Sequence, residues 1–387
     1  MEQKQIYILF SILRSVFHSN QMSDADKQLI TDDLIKDVIK LASKHDVAHL
    51  IAIGILNNNL VGEETKPKLQ QIVFSAIYRY ERLNYELNRM CEILEAEKIP
   101  FIPLKGSVIR QLYPEPWMRT SCDIDVLVQE QDLDKTISCL ERNCDYTFHG
   151  KASHEVSMFS KSGVHIEIHY DLIEKGRASK SNEVLSNVWK DAIPALNCEY
   201  HKKMSDVMYY FYHIAHMAKH FECGGCGIRP FIDLWILDGI AITDKNDRNE
   251  LLNKAELFQF AHIVHKLSSV WMDNLPYDST TEKMENYILT GGVYGTLQNK
   301  ITVQQQKKGG KFKYAISKII IPYDTIKFHY PILQKHRWLT PIMQVRRWFK
   351  LIFCGHAKRS MRELSYNSNI SRSQADEMKI FLDEIGL

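Results

Sequence analysis

Two short segments, "CDIDVLV" (122–128) and "VHIEIHY" (164–170), constrain this chain more than anything else in it. Both alternate in steps of two, the period at which a β-strand sends side chains to opposite faces. In the second, Val164, Ile166 and Ile168 fall on one side, with His165, Glu167 and His169 on the other. In the first, Asp123 and Asp125 project together while Ile124 and Val126 point into a core. An alternating strand is common for solubility alone, and a lone D-x-D is no more than that. Two of them side by side are different, because Glu167 then joins the aspartate pair. Three carboxylates that close repel one another unless a cation neutralises them. An all-oxygen set of this kind suits Mg2+ or Mn2+, ions that also coordinate substrate phosphates.

The surroundings of these strands predict a small sheet set in a mainly helical chain. Residues 1–98 carry apolar positions at helical spacing, as in "SAIYRYERLNYELNRMCEILEAEKI", with few Gly or Pro. At "IPFIPLKGS" the texture changes to a short strand and a glycine turn, followed by a helix in "SVIRQLY" with Ser107 as its N-cap. "QDLDKTISCLERN" reads as an amphipathic helix whose Leu133, Ile137 and Leu140 share a face. "DYTFHG" and "HEVSMFSKSG" are further strands, and a Ser-Gly turn leads into the last one. From about residue 181 the pattern is helical again. The expected fold class is α+β, a small mixed sheet embedded in helices.

"LKGS" supplies the other half of a phosphate site. Glycine between strand and helix lets backbone approach a ligand closely, and amides at a helix start favour an anion. Ser107 can donate to a phosphate oxygen, and Lys105 stands near as a point charge. Arg119 precedes Asp123 by four residues. It is open to two readings: a bidentate phosphate contact or a salt bridge steadying the acids. His169 likewise either orients a carboxylate, touches substrate, or is structural.

The order "LKGSVIRQLYPEPWMRTSCDIDVLV" followed by "VHIEIHYDL" resembles the nucleotidyltransferase fold of the DNA polymerase beta superfamily. More narrowly it resembles a family of uncharacterised nucleotidyltransferases. The likeness is strong over residues 99–173 and fainter at "HIAHMAKH" and "RPFIDLWIL". It implies that Gly106 and Ser107 contact nucleotide phosphates, that Asp123 and Asp125 hold metal, and that Glu167 completes the site as ligand or general base. The third acid is Glu where Asp is common in the superfamily, and the interval from Gly106 to Asp123 is longer than in many members. The implied activity transfers an NMP group from an NTP to an acceptor (small molecule, saccharide or protein) and releases pyrophosphate. A silent nucleotide- or partner-binding protein of the same fold is the alternative.

On this reading the chain divides into a helical region (1–98), the nucleotidyltransferase core (99–175), a helical domain closing the cleft (176–300) and a basic helical region (301–387). In the third part, His213, His216 and His220 share a helix face with Lys219 close by, and Arg229 and Asp233 open the next helix after a glycine break. These residues either wall the cleft, with His216, Lys219, His220 and Asp233 reaching substrate, or knit two helices together. A rival is zinc, since His216, His220, Cys223 and Cys226 lie within one short segment.

Composition excludes little beyond this. The chain has 387 residues, 45% hydrophobic and 25% charged, with a net charge of +2. No run approaches the roughly 18 apolar residues of a membrane span. The N-terminus lacks a signal-peptide pattern, and the eight cysteines are scattered, which together point to free thiols in a reducing cytoplasm. The charge is uneven: fourteen Lys and Arg fall between Lys307 and Arg362, against one acid, Asp324. With Trp338, Trp348 and Phe349 among them, this stretch is read three ways: a solvated helical face, peripheral contact with an anionic membrane, or nucleic-acid binding.

Overall fold

The computed structural model describes residues 3–173, 180–240, 245–293, 295–353 and 357–387. The chain is α+β, mostly helical around one five-stranded sheet. The strands are β1 (Phe101–Pro103), β2 (Asp123–Val128), β3 (Thr147–Lys151), β4 (Glu155–Phe159) and β5 (His165–His169), in the spatial order β1-β2-β5-β4-β3. Only β2 and β5 run parallel; every other neighbouring pair is antiparallel. The turn from β4 to β5 closes with the Gly163 amide on the Ser160 carbonyl, and Gly163 takes φ +79°, where glycine carries no steric cost.

Alternation sets the sheet's two sides. Ile124, Val126, Ile166 and Ile168 are fully buried against Leu87, Met90 and Leu94 of the helix Lys66–Ala96 and Leu140 of the helix Leu133–Cys144. Each such side chain contributes about 1.5–3 kcal/mol by leaving water. That face is closed, so the acidic face is free to line a cleft.

The cleft's far wall belongs to a second and larger core. It gathers the helices Gln3–Phe17, Ala48–Asn57, Asp206–Glu222, Arg229–Gly239 and Phe258–Asp273, with Phe10 stacked on Trp271 at 4.6 Å. Ser205 caps the helix Asp206–Glu222 by accepting from the Met208 amide. A separate small cluster of Ile301, Tyr314, Ile370 and Ala375 holds the C-terminal helices together. One element has no counterpart in the predicted pattern: a two-stranded ribbon of β6 (Ile193–Pro194) and β7 (Lys202–Lys203). The segment leading into β7 meets the sheet edge at β1, where the Phe101 amide donates to the Tyr200 carbonyl.

Candidate active site

The turn between β1 and the next helix is built around an unusual lysine. The Ser107 amide donates to the Leu104 carbonyl at 3.1 Å, and Lys105 adopts φ +45°, ψ −122°. That is the first central position of a type II′ turn, ordinarily glycine. A lysine there costs about 1–3 kcal/mol of backbone strain. In that conformation its Nζ lies 2.6 Å from Asp125 Oδ1, while its carbonyl accepts from the Tyr209 hydroxyl at 2.8 Å.

Ser107 departs from its expected role as the helix cap. The helix starts at Gly106 with Lys105 at the N-cap position, so Ser107 is not the cap. The Ser107 hydroxyl is buried and has no hydrogen-bond partner. The reason is the lysine's positive φ, which starts the helical turn two residues earlier than a Ser107 cap would. Gly106 sits in a crowded spot: a Cβ there would lie 3.2 Å from Arg119 Nη1 and 3.3 Å from Ser121 Cβ.

On the sheet, the parallel pairing sets Asp125 directly beside Glu167 and Asp123 beside His165. His169 Nε2 bonds Asp125 Oδ1 at 2.9 Å and lies 3.5 Å from Glu167 Oε2. His165 Nδ1 is 3.8 Å from Glu167 Oε1, and its Nε2 meets Ser157 Oγ at 2.5 Å. On β4, Glu155 faces the same cluster, 3.7 Å from His169 Nδ1 and 3.3 Å from His154 Nε2.

The two aspartates feel opposite fields. Burial opposes ionisation of Asp125, yet the Lys105 ammonium and the His169 hydrogen bond hold its carboxyl far below the usual range. Asp123 moves the other way: burial and the Asp125 charge raise it. Burial pulls His169 down, and its bonds to Asp125 and Glu167 carry it net upward. The Lys105 ammonium is held well above its ordinary value, burial being outweighed by Asp125.

Three sets of side chains bring ligand atoms within 4.8 Å of one another and could hold a metal ion: Asp123/His165/Glu167, Asp125/Glu167/His169 and His154/Glu155/His169. The first two are the predicted carboxylates with an imidazole added to each. Among the described residues, no such set includes Cys223 or Cys226. Cys226 is fully buried and burial pushes its thiol up, the reverse of what a zinc thiolate needs. Among the described residues no cysteine is in a disulfide; Cys354 lies outside them.

A cleft of about 440 Å3 lies over the acidic face. Lys105, Gly106, Arg119, Asp123, Asp125, Glu167, His169, His216, Lys219, His220 and Asp233 all line it; Ser107 does not. From the opposite wall, His216 and His220 meet edge to face at 4.5 Å, and burial followed by Lys105 holds His216 neutral, well below its ordinary pKa. His213 is committed elsewhere, to the Pro230 carbonyl at 2.9 Å.

Arg119 follows neither of its two predicted readings. Its Nε and Nη2 grip the two oxygens of Asp233 at 2.8 and 2.7 Å, and Tyr113 donates to the same carboxylate at 2.6 Å. Its remaining nitrogen, Nη1, donates to the Thr120 carbonyl at 2.8 Å. The guanidinium fork is therefore spent on a residue 114 positions later, clamping the loop before β2 to the helical wall. Arg229 makes a parallel link, reaching Asp46 at 2.7 Å and the Thr120 carbonyl at 3.0 Å.

Several residues in the cleft carried no strong sequence signal. Glu155 opens β4 and His154 directly precedes it; the β4–β5 register, Glu155 beside His169, brings both to the cluster. Tyr209 and Tyr212 line the wall from the histidine helix. His45 is fully buried at the cleft's edge, with neither ring nitrogen in a hydrogen bond, and burial lowers it to about 4.

No curated protein and no solved structure matches this chain. The sequence pattern of the uncharacterised nucleotidyltransferase family matches residues 32–273, a span that holds the whole sheet, the acidic cluster and the histidine wall. The chain belongs to that family of uncharacterised nucleotidyltransferases.

Proposed function

We propose that this protein is a metal-dependent nucleotidyltransferase that moves an NMP group from an NTP to an acceptor. The observation that carries the reading is the lateral pairing of Asp125 with Glu167, with Asp123 on the same face two residues away. Carboxylate oxygens with a neighbouring imidazole fit Mg2+ or Mn2+, and Asp123, Asp125 and Glu167, divided between two ligand sets that share Glu167, are the residues that would hold it. Bound there, the ion supplies charge neutralisation for a triphosphate and for the departing pyrophosphate.

The chain's own residues do the rest. An acceptor oxygen forms a bond to the α-phosphorus, the bond from that phosphorus to the bridging oxygen breaks, and pyrophosphate leaves with that electron pair. The acceptor proton passes to a carboxylate on the sheet, and Glu167, half-buried like Asp123, is placed to take it. Lys105 is the cation nearest the acids, and it can trade Asp125 for a phosphate oxygen as nucleotide binds. The Gly106 backbone lies beside it at the cleft, where a phosphate can approach closely. Arg119 and Asp233 are positioning residues that fix the 119–121 loop against Gly106. His216, Lys219 and His220 face the acids across the cleft as nucleotide or acceptor contacts.

One observation favours a second reading, a catalytically silent nucleotide-binding protein. Lys105 Nζ already neutralises Asp125, as an ammonium standing in for a cation would. One experiment separates the two. Pyrophosphate release from each of the four NTPs is measured with Mg2+ or Mn2+ and fractionated cell extract as acceptor source. The wild type is compared with Asp123→Asn/Asp125→Asn. Release that vanishes in the double variant supports catalysis; equal release from both proteins sinks it. Nucleotide binding by the wild type with no release in any fraction supports the silent reading.

A further inference from the structure

We propose that the helices Lys311–Ile319 and Thr340–Phe353 form a face that binds the surface of an anionic lipid bilayer. In the first helix, Phe312, Ile316 and Ile319, with Ile320 just beyond, are exposed at intervals of four, three and one, a single stripe; Phe312 is 77% exposed. The opposite side of that helix is satisfied, with Tyr314 buried in the C-terminal cluster. In the second helix, Ile342, Val345 and Phe349 repeat the pattern, and Trp338 extends it one turn earlier at 72% exposure. Isolated apolar residues on a surface are ordinary, whereas two stripes at helical spacing are not.

The two helices are locked together by their other sides. Arg347 donates to the carbonyls of Ile319 and Lys318 at 3.1 and 3.0 Å, Trp348 Nε1 to Ile319 at 2.8 Å, and Gln344 to Ile321. These bonds satisfy the open carbonyls at the end of the first helix. They also turn Ile342, Val345 and Phe349 away from the contact.

Charge names the occupant. Lys311, Lys313, Arg346 and Lys350 are exposed on the same two helices. Asp324, the one acid between residues 307 and 362, is already paired with Lys327 at 2.7 Å. A plane of anionic headgroups over acyl chains matches both halves of this surface: phosphates for the cations and hydrocarbon for the stripes. Nucleic acid matches only one half, since Ile316, Ile319, Ile342 and Val345 cannot stack on bases. No helix among the described residues is long and apolar enough to cross a membrane, so the face lies on the bilayer.

The test is co-sedimentation of the full chain with vesicles of phosphatidylcholine alone and of equimolar phosphatidylcholine and phosphatidylglycerol. Binding is expected to the mixed vesicles and not to phosphatidylcholine. Two triple variants divide the surface: Phe312→Ser/Ile342→Ser/Phe349→Ser and Lys313→Glu/Arg346→Glu/Lys350→Glu. Each is expected to weaken binding by at least on the order of tenfold. Circular dichroism melting checks that both remain folded, and the single Trp338→Ser serves as a milder apolar variant. Absence of wild-type binding, or undiminished binding by either triple variant, overturns the proposal. Retention on polyuridylate without vesicle binding, lost in the charge variant alone, overturns it in favour of nucleic acid. The outcome is independent of nucleotidyl transfer, because none of these residues lies in the cleft.

Discussion

Two buried ion pairs look into the same cleft, and they are built for opposite purposes. Arg119 and Asp233 form a closed unit: two parallel hydrogen bonds, a tyrosine on one oxygen and a carbonyl on the spare nitrogen. Every polar atom has a partner, and the pair ties together two segments 114 positions apart. Lys105 and Asp125 form an open unit. One point-charge bond joins them, the ammonium sits on a strained turn, and the acid is shared with His169 and crowded by Asp123 and Glu167. A satisfied pair resists change, whereas an over-subscribed acid is poised to exchange partners. Buried charge on its own therefore does not mark the reactive place; surplus charge does.

Breaking the closed pair should have the largest effect on folding. Asp233→Ala leaves the Arg119 guanidinium buried and alone, and is expected to cost about 3–5 kcal/mol in denaturant unfolding. Asp123→Asn removes a carboxylate whose charge is disfavoured by burial and by Asp125, so its unfolding free energy should change far less while pyrophosphate release collapses. Equal destabilisation by the two would erase the distinction drawn here.

His45 supplies the limiting case, a buried titratable group with no charged partner to hold its proton. Its folded pKa of about 4 lies below the ordinary 6.5, so the neutral form is favoured in the folded state. The stability it confers is complete above pH 6.5 and drains away as pH falls toward 4. Over that window the loss should reach on the order of 2–3 kcal/mol, and His45→Gln should flatten the pH profile of the melting midpoint. A wild-type profile that is already flat there would remove His45 from the comparison.

Cation binding tests the surplus directly. Because Asp123 titrates above its ordinary range, its ionised form costs folding energy at neutral pH, and an ion placed beside it returns that cost. Mn2+ at a hundred times its dissociation constant should stabilise the wild type by about 2.7 kcal/mol and leave Asp123→Asn nearly unmoved. A similar shift in both proteins would locate the ion elsewhere.

The smallest expected change comes from Lys105→Gly. Removing the ammonium unbalances Asp125, but glycine relieves the positive φ, and the two effects offset to within about 1 kcal/mol. Lys105→Ala keeps the strain and loses the charge, so it should be the less stable of the two. The opposite order would show that the turn carries no strain.

Where the chain's logic is local, the sequence disclosed it. The period of two in 122–128 and 164–170 announced both the sheet and its acidic face, and helical spacing announced the flanking walls. The misreadings came from residues whose behaviour is set at a distance. Arg119 stands four residues from Asp123, so proximity suggested the acids or a phosphate; its real partner stands 114 positions further on. Ser107 has the chemistry of a helix cap, and only a lysine willing to adopt a glycine's conformation displaces it from that role. His154 and Glu155 join the cluster through strand register, which a single strand's pattern does not reveal. The β6–β7 ribbon, two residues to a strand, is too short to show any period.

The parallel pairing of β2 with β5 has a further effect on how this protein guards against its own errors. Sliding β5 by one residue would turn Val164, Ile166 and Ile168 outward and drive His165, Glu167 and His169 into hydrocarbon. The one-residue slip that scatters the carboxylates is thus also the slip that ruins the core. A chain that has reached its stable form has, by the same step, been proofread for chemistry.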